Sequence, residues 1–240
     1  MRTGTLGPGV QYAFADRHDG VSVAPYDLGN LGDHVGDDPV AVATNRARLA
    51  GAVGVGSDRL AAMSPVHGAD VVLVAAAGTA PAADALVTIT PGVALLVLAA
   101  DCVPVLLADA AAGVVAVVHA GWRGVRADVT GAALERMREL GARPQRTLAV
   151  VGPAICGRCY PVDRERFDAV VAVAPRAAAV AAAGGPALDL RLAVLERLER
   201  EGVGVSLVGG CTAQSPDWFS YRRDGVTGRH GGVVVLRGAP

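Results

Sequence analysis

The 240-residue chain contains no lysine, so every fixed positive charge among its 22 basic residues is a guanidinium group. GC-rich coding produces that bias without any functional demand. Aromatic residues make up only 4% and charged residues 19%, against a hydrophobic fraction of 52%, so the core is built mainly of Ala, Val and Leu. The formal net charge is −1, which excludes the basic footprint of a nucleic-acid binder. No block of like charges marks a membrane-surface segment or an acidic tail. Apolar runs are broken by Asp, His or Gly before they reach membrane-spanning length. Four cysteines are too few for a secreted disulfide scaffold. Met1 to Val10 lacks both the charged and the apolar region of a signal peptide. These absences imply a soluble, cytoplasmic protein in a reducing compartment. The length fits one domain spanning 1–240, with the oligomeric state, monomer or homodimer, left open.

Helical periodicity is clearest at Val40–Ala52 (after Asp37–Asp38–Pro39 as cap and first turn), Ala127–Leu140, Asp163–Val173 and Asp189–Glu201. Short Val-rich strands are expected at Val71–Val74, Ala85–Thr88, Ala94–Ala99, Val103–Ala108, Val114–His119, Leu148–Val151, Val203–Val208 and Val233–Leu236. Two alanine-rich stretches, Ala75–Ala83 and Ala177–Gly185, read as surface connections or a helix end. Strands often follow one another directly, which favours mixed or antiparallel sheets over a doubly wound one. Most are apolar on both faces, so the sheets must be covered on both sides. The fold class read from this pattern is α+β, a sandwich of several layers with mixed sheets.

The chemistry concentrates between Leu96 and Gly124. Two strands joined by a turn around Ala110–Gly113 predict a hairpin. Counting outward from the turn sets Cys102 opposite Val118 to Ala120, so the hairpin brings the Cys102 thiol and the His119 imidazole to one end of the sheet, near Asp101. A thiolate beside an imidazole suits zinc, and a catalytic zinc takes one further protein ligand and keeps an open position. His18, His34, His67 and His230 are the candidates; Pro65–Val66–His67–Gly68, just ahead of a strand, places His67 best. Singly, Cys102 reads as a small buried hydrophobe and His119 as a satisfied strand-end histidine. Their joint occurrence in Asp-Cys and His-Ala-Gly-Trp-Arg-Gly at two strand ends favours a site.

Several separated motifs occur in order: Gly20–Val21–Ser22, Asn30 to Gly36, Ala100–Asp101–Cys102–Val103–Pro104–Val105, Val118 to Gly124, Gly152–Pro153–Ala154–Ile155, Cys159–Tyr160–Pro161–Val162, and Phe219 to Arg229. Together they resemble the bacterial purine nucleoside phosphorylase family, formerly catalogued as polyphenol oxidoreductases with a laccase domain, over nearly the whole chain. The resemblance implies a four-layer α-β-β-α sandwich and a zinc ion on His67, Cys102 and His119. It also implies phosphorolysis of adenosine, inosine, guanosine or methylthioadenosine, with an adenosine deaminase activity. One departure is Pro65, where the family usually has Gln.

The partners so implied are purine nucleosides and inorganic phosphate. Arg222, Arg223 and Arg229, gathered within eight positions, are candidates for the phosphate, with Arg123 behind them. Trp122 and Tyr221 are candidates to stack on a purine or to pack the core. Zinc lowers the pKa of a bound water, which suits deamination with Asp101 as proton shuttle. Cys156-x-x-Cys159 is a lone pair without a partner motif, a weak signal for a second metal or redox site, and Cys211 reads as structural. Two alternatives stand beside the zinc enzyme: a metal-free hydrolase with Cys102 as nucleophile and His119 as base, and a copper phenol oxidase. Five histidines with no His-x-His pair are a poor basis for a multicopper cluster.

Overall fold

The computed structural model describes residues 1–78 and 81–237. In chain order its strands are β1 (Arg2–Thr5), β2 (Val10–Ala15), β3 (Leu60–Ala62), β4 (Val71–Leu73), β5 (Ala85–Thr88), β6 (Ala94–Ala99) and β7 (Val103–Asp109). They continue with β8 (Val114–Ala120), β9 (Leu148–Val151), β10 (Ala178–Val180), β11 (Pro186–Leu188), β12 (Gly204–Leu207) and β13 (His230–Leu236). The helices are α1 (Pro39–Ala52), α2 (Trp122–Arg126), α3 (Val129–Glu139), α4 (Arg164–Val171), α5 (Leu190–Arg200) and α6 (Tyr221–Asp224).

One five-stranded sheet runs β1-β2-β13-β6-β3 and a six-stranded sheet runs β12-β9-β7-β8-β5-β4. Both are mixed: β3 lies parallel to β6, β4 to β5 and β12 to β9, while the remaining pairs in these sheets are antiparallel. Alternation along the strands separates the layers. On β7, Val103, Val105 and Leu107 pack with Val129, Ala133 and Met137 of α3 and Val194 and Leu198 of α5. Leu106 and Ala108 point the other way, toward Leu95, Val97 and Val234 of the second sheet. Val233 and Val235 cover that sheet's far side, against Leu49, Ala50 and Val53. The order is therefore α1, sheet, sheet, then α3 and α5, the four-layer sandwich expected. Each fully buried Val or Leu in these layers stabilises the fold by about 1.5–3 kcal/mol.

The differences from expectation have local causes. Helix α3 begins at Val129 because Asp128, with φ 57°, accepts a hydrogen bond from Gly131 N and caps it, which cuts off α2 as a separate turn. Strand β13 starts three residues before Val233, through Gly231 and Gly232, a pair that reads as a break in the sequence. These glycines are packing necessities: a Cβ on Gly232 would sit 2.6 Å from Phe14 Cε1, and one on Gly231 would sit 2.5 Å from Val97 O. Phe14 lies equally close to Gly152, so one of the few aromatic rings fills a hollow between the sheets that glycine leaves open. The stretch 177–185 holds β10 and the turn toward β11, which pair antiparallel as a hairpin, rather than a bare connection. In the other alanine-rich stretch, positions 79 and 80 lie outside the described residues; Ala82 forms an isolated bridge with Ser64. Among the described residues no helix is long and apolar enough to cross a membrane.

A bulkier residue at Gly232 must displace Phe14. Gly232→Val is expected to destabilise the protein by about 1–3 kcal/mol or more, the usual cost of overpacking, as read from the urea midpoint. An unchanged midpoint would show that the ring can move aside freely.

Candidate metal centre

Strands β7 and β8 form the hairpin, in a register that pairs Val103 with Ala120 and Pro104 with His119. Continued outward, that register sets Cys102 level with Gly121, just past the last ladder pair and not opposite Val118 to Ala120. The turn causes the shift, since Asp109 pairs directly with Val114 and leaves four residues in the loop. Asp109 stabilises this turn by accepting from Ala112 N, Arg143 N and Arg146. Freed from the ladder, Cys102 can approach the His119 ring.

The third donor arrives on the loop between β3 and β4. His67 sits in the left-handed region, with φ 60°, and its amide donates to Asp84 Oδ1 at 2.9 Å while Gly68 N donates to Asp84 Oδ2 at 2.6 Å. Asp84 Oδ1 also lies 3.0 Å from His119 Nδ1. Asp84 is fully buried at the foot of β5, so one carboxylate fixes both the His67 turn and the His119 ring. Burial alone would raise its pKa; the hydrogen bonds from His119, Gly68 and His67 outweigh that and hold it ionised. With the His119 proton on Nδ1 directed at Asp84, Nε2 remains as the donor atom, the usual carboxylate–histidine–metal arrangement.

One donor atom each from His67, Cys102 and His119 lies within 4.8 Å of the others, and the two imidazoles meet edge-on with centroids 4.9 Å apart. A Cβ on Gly121 would come 3.1 Å from His67 Cδ2 and 3.2 Å from Cys102 Sγ, so glycine leaves the space between the donors clear. Burial opposes charge on Cys102, but the charge of His119 and hydrogen bonds from both histidines outweigh it and bring the thiol down to about 6. His119 is likewise opposed by burial, yet the Cys102 thiolate and Asp84 lift it to about 9. The apoprotein therefore holds a thiolate–imidazolium pair. Two nitrogens and one soft sulfur, backed by a carboxylate and open on one side, fit a catalytic zinc.

The open side is a cavity of about 650 Å³. His67, Cys102, His119, Asp101, Tyr221, Arg222 and Arg229 all line it. Asp101 has φ 101°, a strained value for a residue with a side chain. Its Oδ1 accepts from Thr212 Oγ1 at 2.6 Å and its Oδ2 from Arg222 N at 2.7 Å, so it ties the start of α6 to the metal-site strand end. The Arg222 guanidinium lies 4.8 Å from the Tyr160 ring centre and donates to Pro161 O. Arg229 is half-buried, donates to Thr227 O and Gly228 O, and is placed by a hydrogen bond from its amide to Asn30 Oδ1. Among the described residues no carboxylate pairs with the guanidinium of Arg222 or Arg229. Arg223 is turned away: it forms a bidentate pair with Asp224 and donates to Thr212 O, Ser215 O and Trp218 O. Arg123 lies over the Trp122 ring, outside the cavity, and Trp122 itself packs on the helical core. Cys156, Cys159 and Cys211 gather elsewhere.

Sequence reasoning missed three contributors. His34, one of the candidate third ligands, lies outside the donor trio but lines the cavity; His18 pairs with Asp217 on the surface. Tyr160 was visible only as part of a motif, and Arg166 only as one polar position of an amphipathic helix; both reach the cavity. Asp84 had one faint signal, a carboxylate immediately ahead of a fully buried strand. Pro65 also lines the wall.

Residues 11–237 match a protein family described as multi-copper polyphenol oxidoreductase laccase. A Streptomyces coelicolor protein named purine nucleoside phosphorylase is 50% identical over 232 residues, covering 95% of this chain and 96% of that protein. A Mycobacterium tuberculosis protein with the same name is 45% identical over 237 residues, covering 98% and 95%. A crystal structure of a Neisseria meningitidis protein matches with a TM-score of 0.86 at 36% identity, over 99% of this chain and 100% of that one. A Geobacillus stearothermophilus structure matches at 0.84 and 34%, over 96% and 93%.

Asp84→Asn removes the charge that orients His119 while keeping its size, and is expected to weaken metal binding by about 10–100-fold, measured by competition with a chelator. Affinity equal to wild type would mean that Asp84 only holds the loop. In the metal-free protein Cys102 is ionised above about pH 6. Alkylation of its peptide, followed by mass spectrometry, should therefore stay nearly constant from neutral pH down to that point. Below it the rate should fall roughly tenfold per pH unit as the thiolate is protonated. Bound metal should suppress the reaction throughout. A midpoint near that of a free thiol, about 8.5, would contradict the pairing with His119.

Proposed function

The chain belongs to the family described as multi-copper polyphenol oxidoreductase laccase, and from that premise we propose that it is a zinc-dependent purine nucleoside phosphorylase with an accompanying adenosine deaminase activity. The observation that carries this reading is the meeting, in one cavity, of a three-donor metal site and two guanidinium groups that form no salt bridge with a carboxylate among the described residues. An oxidase would need electron transfer between several coppers; a single open His₂Cys site beside an anion-binding wall suits a transfer to phosphate or water better. The names carried by the Streptomyces and Mycobacterium relatives point the same way.

In phosphorolysis a phosphate oxygen bonds to ribose C1′ as the C1′–N9 bond breaks, giving the free base and ribose 1-phosphate. Adenosine, inosine, guanosine and methylthioadenosine are the substrates proposed. The transition state is oxocarbenium-like, so catalysis rests on positioning and charge. Arg229 and Arg222 hold the phosphate dianion, with Arg166 flanking them; planar forks suit its oxygens. Arg229 is the stronger contact, because burial removes the water that would screen it. Tyr221, exposed at the rim, offers a ring to the purine. Zinc on His67, Cys102 and His119 supplies Lewis acidity and a lowered water pKa. In deamination Asp101 moves the proton: each of its oxygens accepts one hydrogen bond and keeps a lone pair. A metal-free hydrolase would also use the Cys102–His119 pair, but it gives no role to His67 as a third converging donor.

Arg229→Ala and Arg222→Ala test the assignment. A charge-assisted contact contributes about 1.5–3 kcal/mol, so each should reduce phosphate-dependent turnover of adenosine by roughly ten- to a hundredfold. Deamination of the same substrate uses water and should fall much less. Arg223→Ala should lower thermal stability instead, since its partners are all protein groups. Equal losses of both reactions in Arg229→Ala, with the metal retained, would move the phosphate elsewhere.

A further inference from the structure

A second cluster of metal-ligating side chains lies outside the nucleoside cavity. Cys156 and Cys159 stand at the two ends of a 3₁₀ turn, Gly157–Cys159, closed by a hydrogen bond from Cys159 N to Cys156 O at 2.9 Å. This turn brings both sulfurs to one side. Residues 210–212 run alongside: Ala154 bridges Cys211, Ala154 N donates to Gly210 O, and Thr212 N donates to Ala154 O. The result places all three sulfurs within 4.8 Å of one another, each half-buried and each a free thiol.

Two further features mark the cluster as built for anionic sulfur. The Cys156 amide donates to Cys211 Sγ at 3.3 Å. Beside them lies Arg191, which donates from Nη2 to Val208 O and Gly209 O, and whose buried Nε has no protein partner. A guanidinium beside three thiolates balances the net charge of a three-thiolate complex with a divalent ion. Cys-x-x-Cys is the ordinary spacing of a zinc knuckle, and an all-sulfur donor set selects soft ions with filled d shells.

We propose that Cys156, Cys159 and Cys211 form a second metal site, a three-thiolate clasp for Zn²⁺ or Cu⁺. The clasp fastens the turn that leads into Tyr160 to the segment that leads into α6. Thr212, next to Cys211, donates to Asp101, and Arg223 holds Thr212 O. The site therefore braces the wall on which Tyr160, Tyr221 and Arg222 stand, without itself touching the cavity. A simple disulfide would use two of the sulfurs and leave the third without purpose.

The test is metal content, which does not depend on the activity proposed above. Protein kept reduced is loaded with zinc, or with copper(I) under argon, desalted and analysed by mass spectrometry of the metals. Wild type should hold about two equivalents per chain, Cys102→Ser about one, Cys211→Ser about one, and the double variant none. Cobalt-substituted Cys102→Ser should keep strong thiolate-to-metal charge-transfer absorption, and adding Cys159→Ser should abolish it. Cys102→Ser leaves the trio untouched, so a folding failure of the Cys211 variant does not remove the test. Competition between zinc and copper(I) on Cys102→Ser decides which ion the clasp prefers. One equivalent in wild type, lost entirely in Cys102→Ser, would overturn the proposal. So would a Cys156–Cys211 disulfide that persists in the zinc-loaded protein.

Discussion

Both histidines of the candidate metal centre depend on the Asp84 carboxylate. It is buried, ionised and shared between the consecutive backbone amides of His67 and Gly68 and the His119 imidazole, so it joins the loop before β4 to the end of β8. A carboxylate in that position cannot stay charged without its donors, because desolvation of a lone anion costs several kcal/mol. The donors in turn have no other reason to converge: His67 must adopt a left-handed backbone to offer its amide. The hydrogen bonds to Asp84 therefore offset both the strain at His67 and the burial of the carboxylate. The consequence is a His119 imidazole fixed in orientation and a His67 turn fixed in place before any metal arrives, which lowers the ordering cost of binding one.

The hairpin that carries Cys102 and His119 was legible because it is made of two uninterrupted apolar runs with a small-residue turn between them. But runs apolar on both faces leave the register to the turn, which sets Cys102 level with Gly121. The four layers followed from strands apolar on both faces. Less of the five-stranded sheet could be read. Arg2–Thr5 has no apolar face of its own and forms a strand only because β2 supplies a partner. The Gly231–Gly232 pair looks like a break until Phe14 is placed on it. In both cases the deciding contact comes from residues distant in sequence.

The same distinction runs through the site. Cys102 and His119 are chemically distinctive and lie on one hairpin, and His67, the best placed of four candidate histidines, was reinforced by the resemblance. Of the five substrate-binding candidates, Tyr221, Arg222 and Arg229 line the cavity, while Arg123 and Arg223 do not. Nothing in a run of arginines tells which will meet a carboxylate: Asp224 follows Arg223 directly, and the pair closes on itself as a bidentate fork. Asp84 and Arg166 were hidden for the opposite reason. Each acts through tertiary neighbours, Asp84 through a loop 17 residues upstream and a strand 35 residues downstream.

The family's oxidase name and its relatives' phosphorylase name make different demands on one geometry. Multi-copper catalysis needs several metals within electron-transfer contact, hence many histidines arranged in groups. Among the described residues His18 and His230 lie away from the centre, the first paired with Asp217 and the second buried against Trp218. His34 reaches the cavity, but more than half exposed and beside Asp33, so it can meet a substrate more readily than complete a cluster. What remains is one three-donor site opening on a wall of guanidinium groups. Burial pulls the Arg229 pKa down, yet a guanidinium starts so high that it stays charged. A permanent cation in a half-dry wall favours a bound anion at every pH at which the fold survives. An outer-sphere phenol oxidation has no use for such a charge, whereas attack by phosphate on a sugar carbon cannot proceed without something to hold the dianion in line.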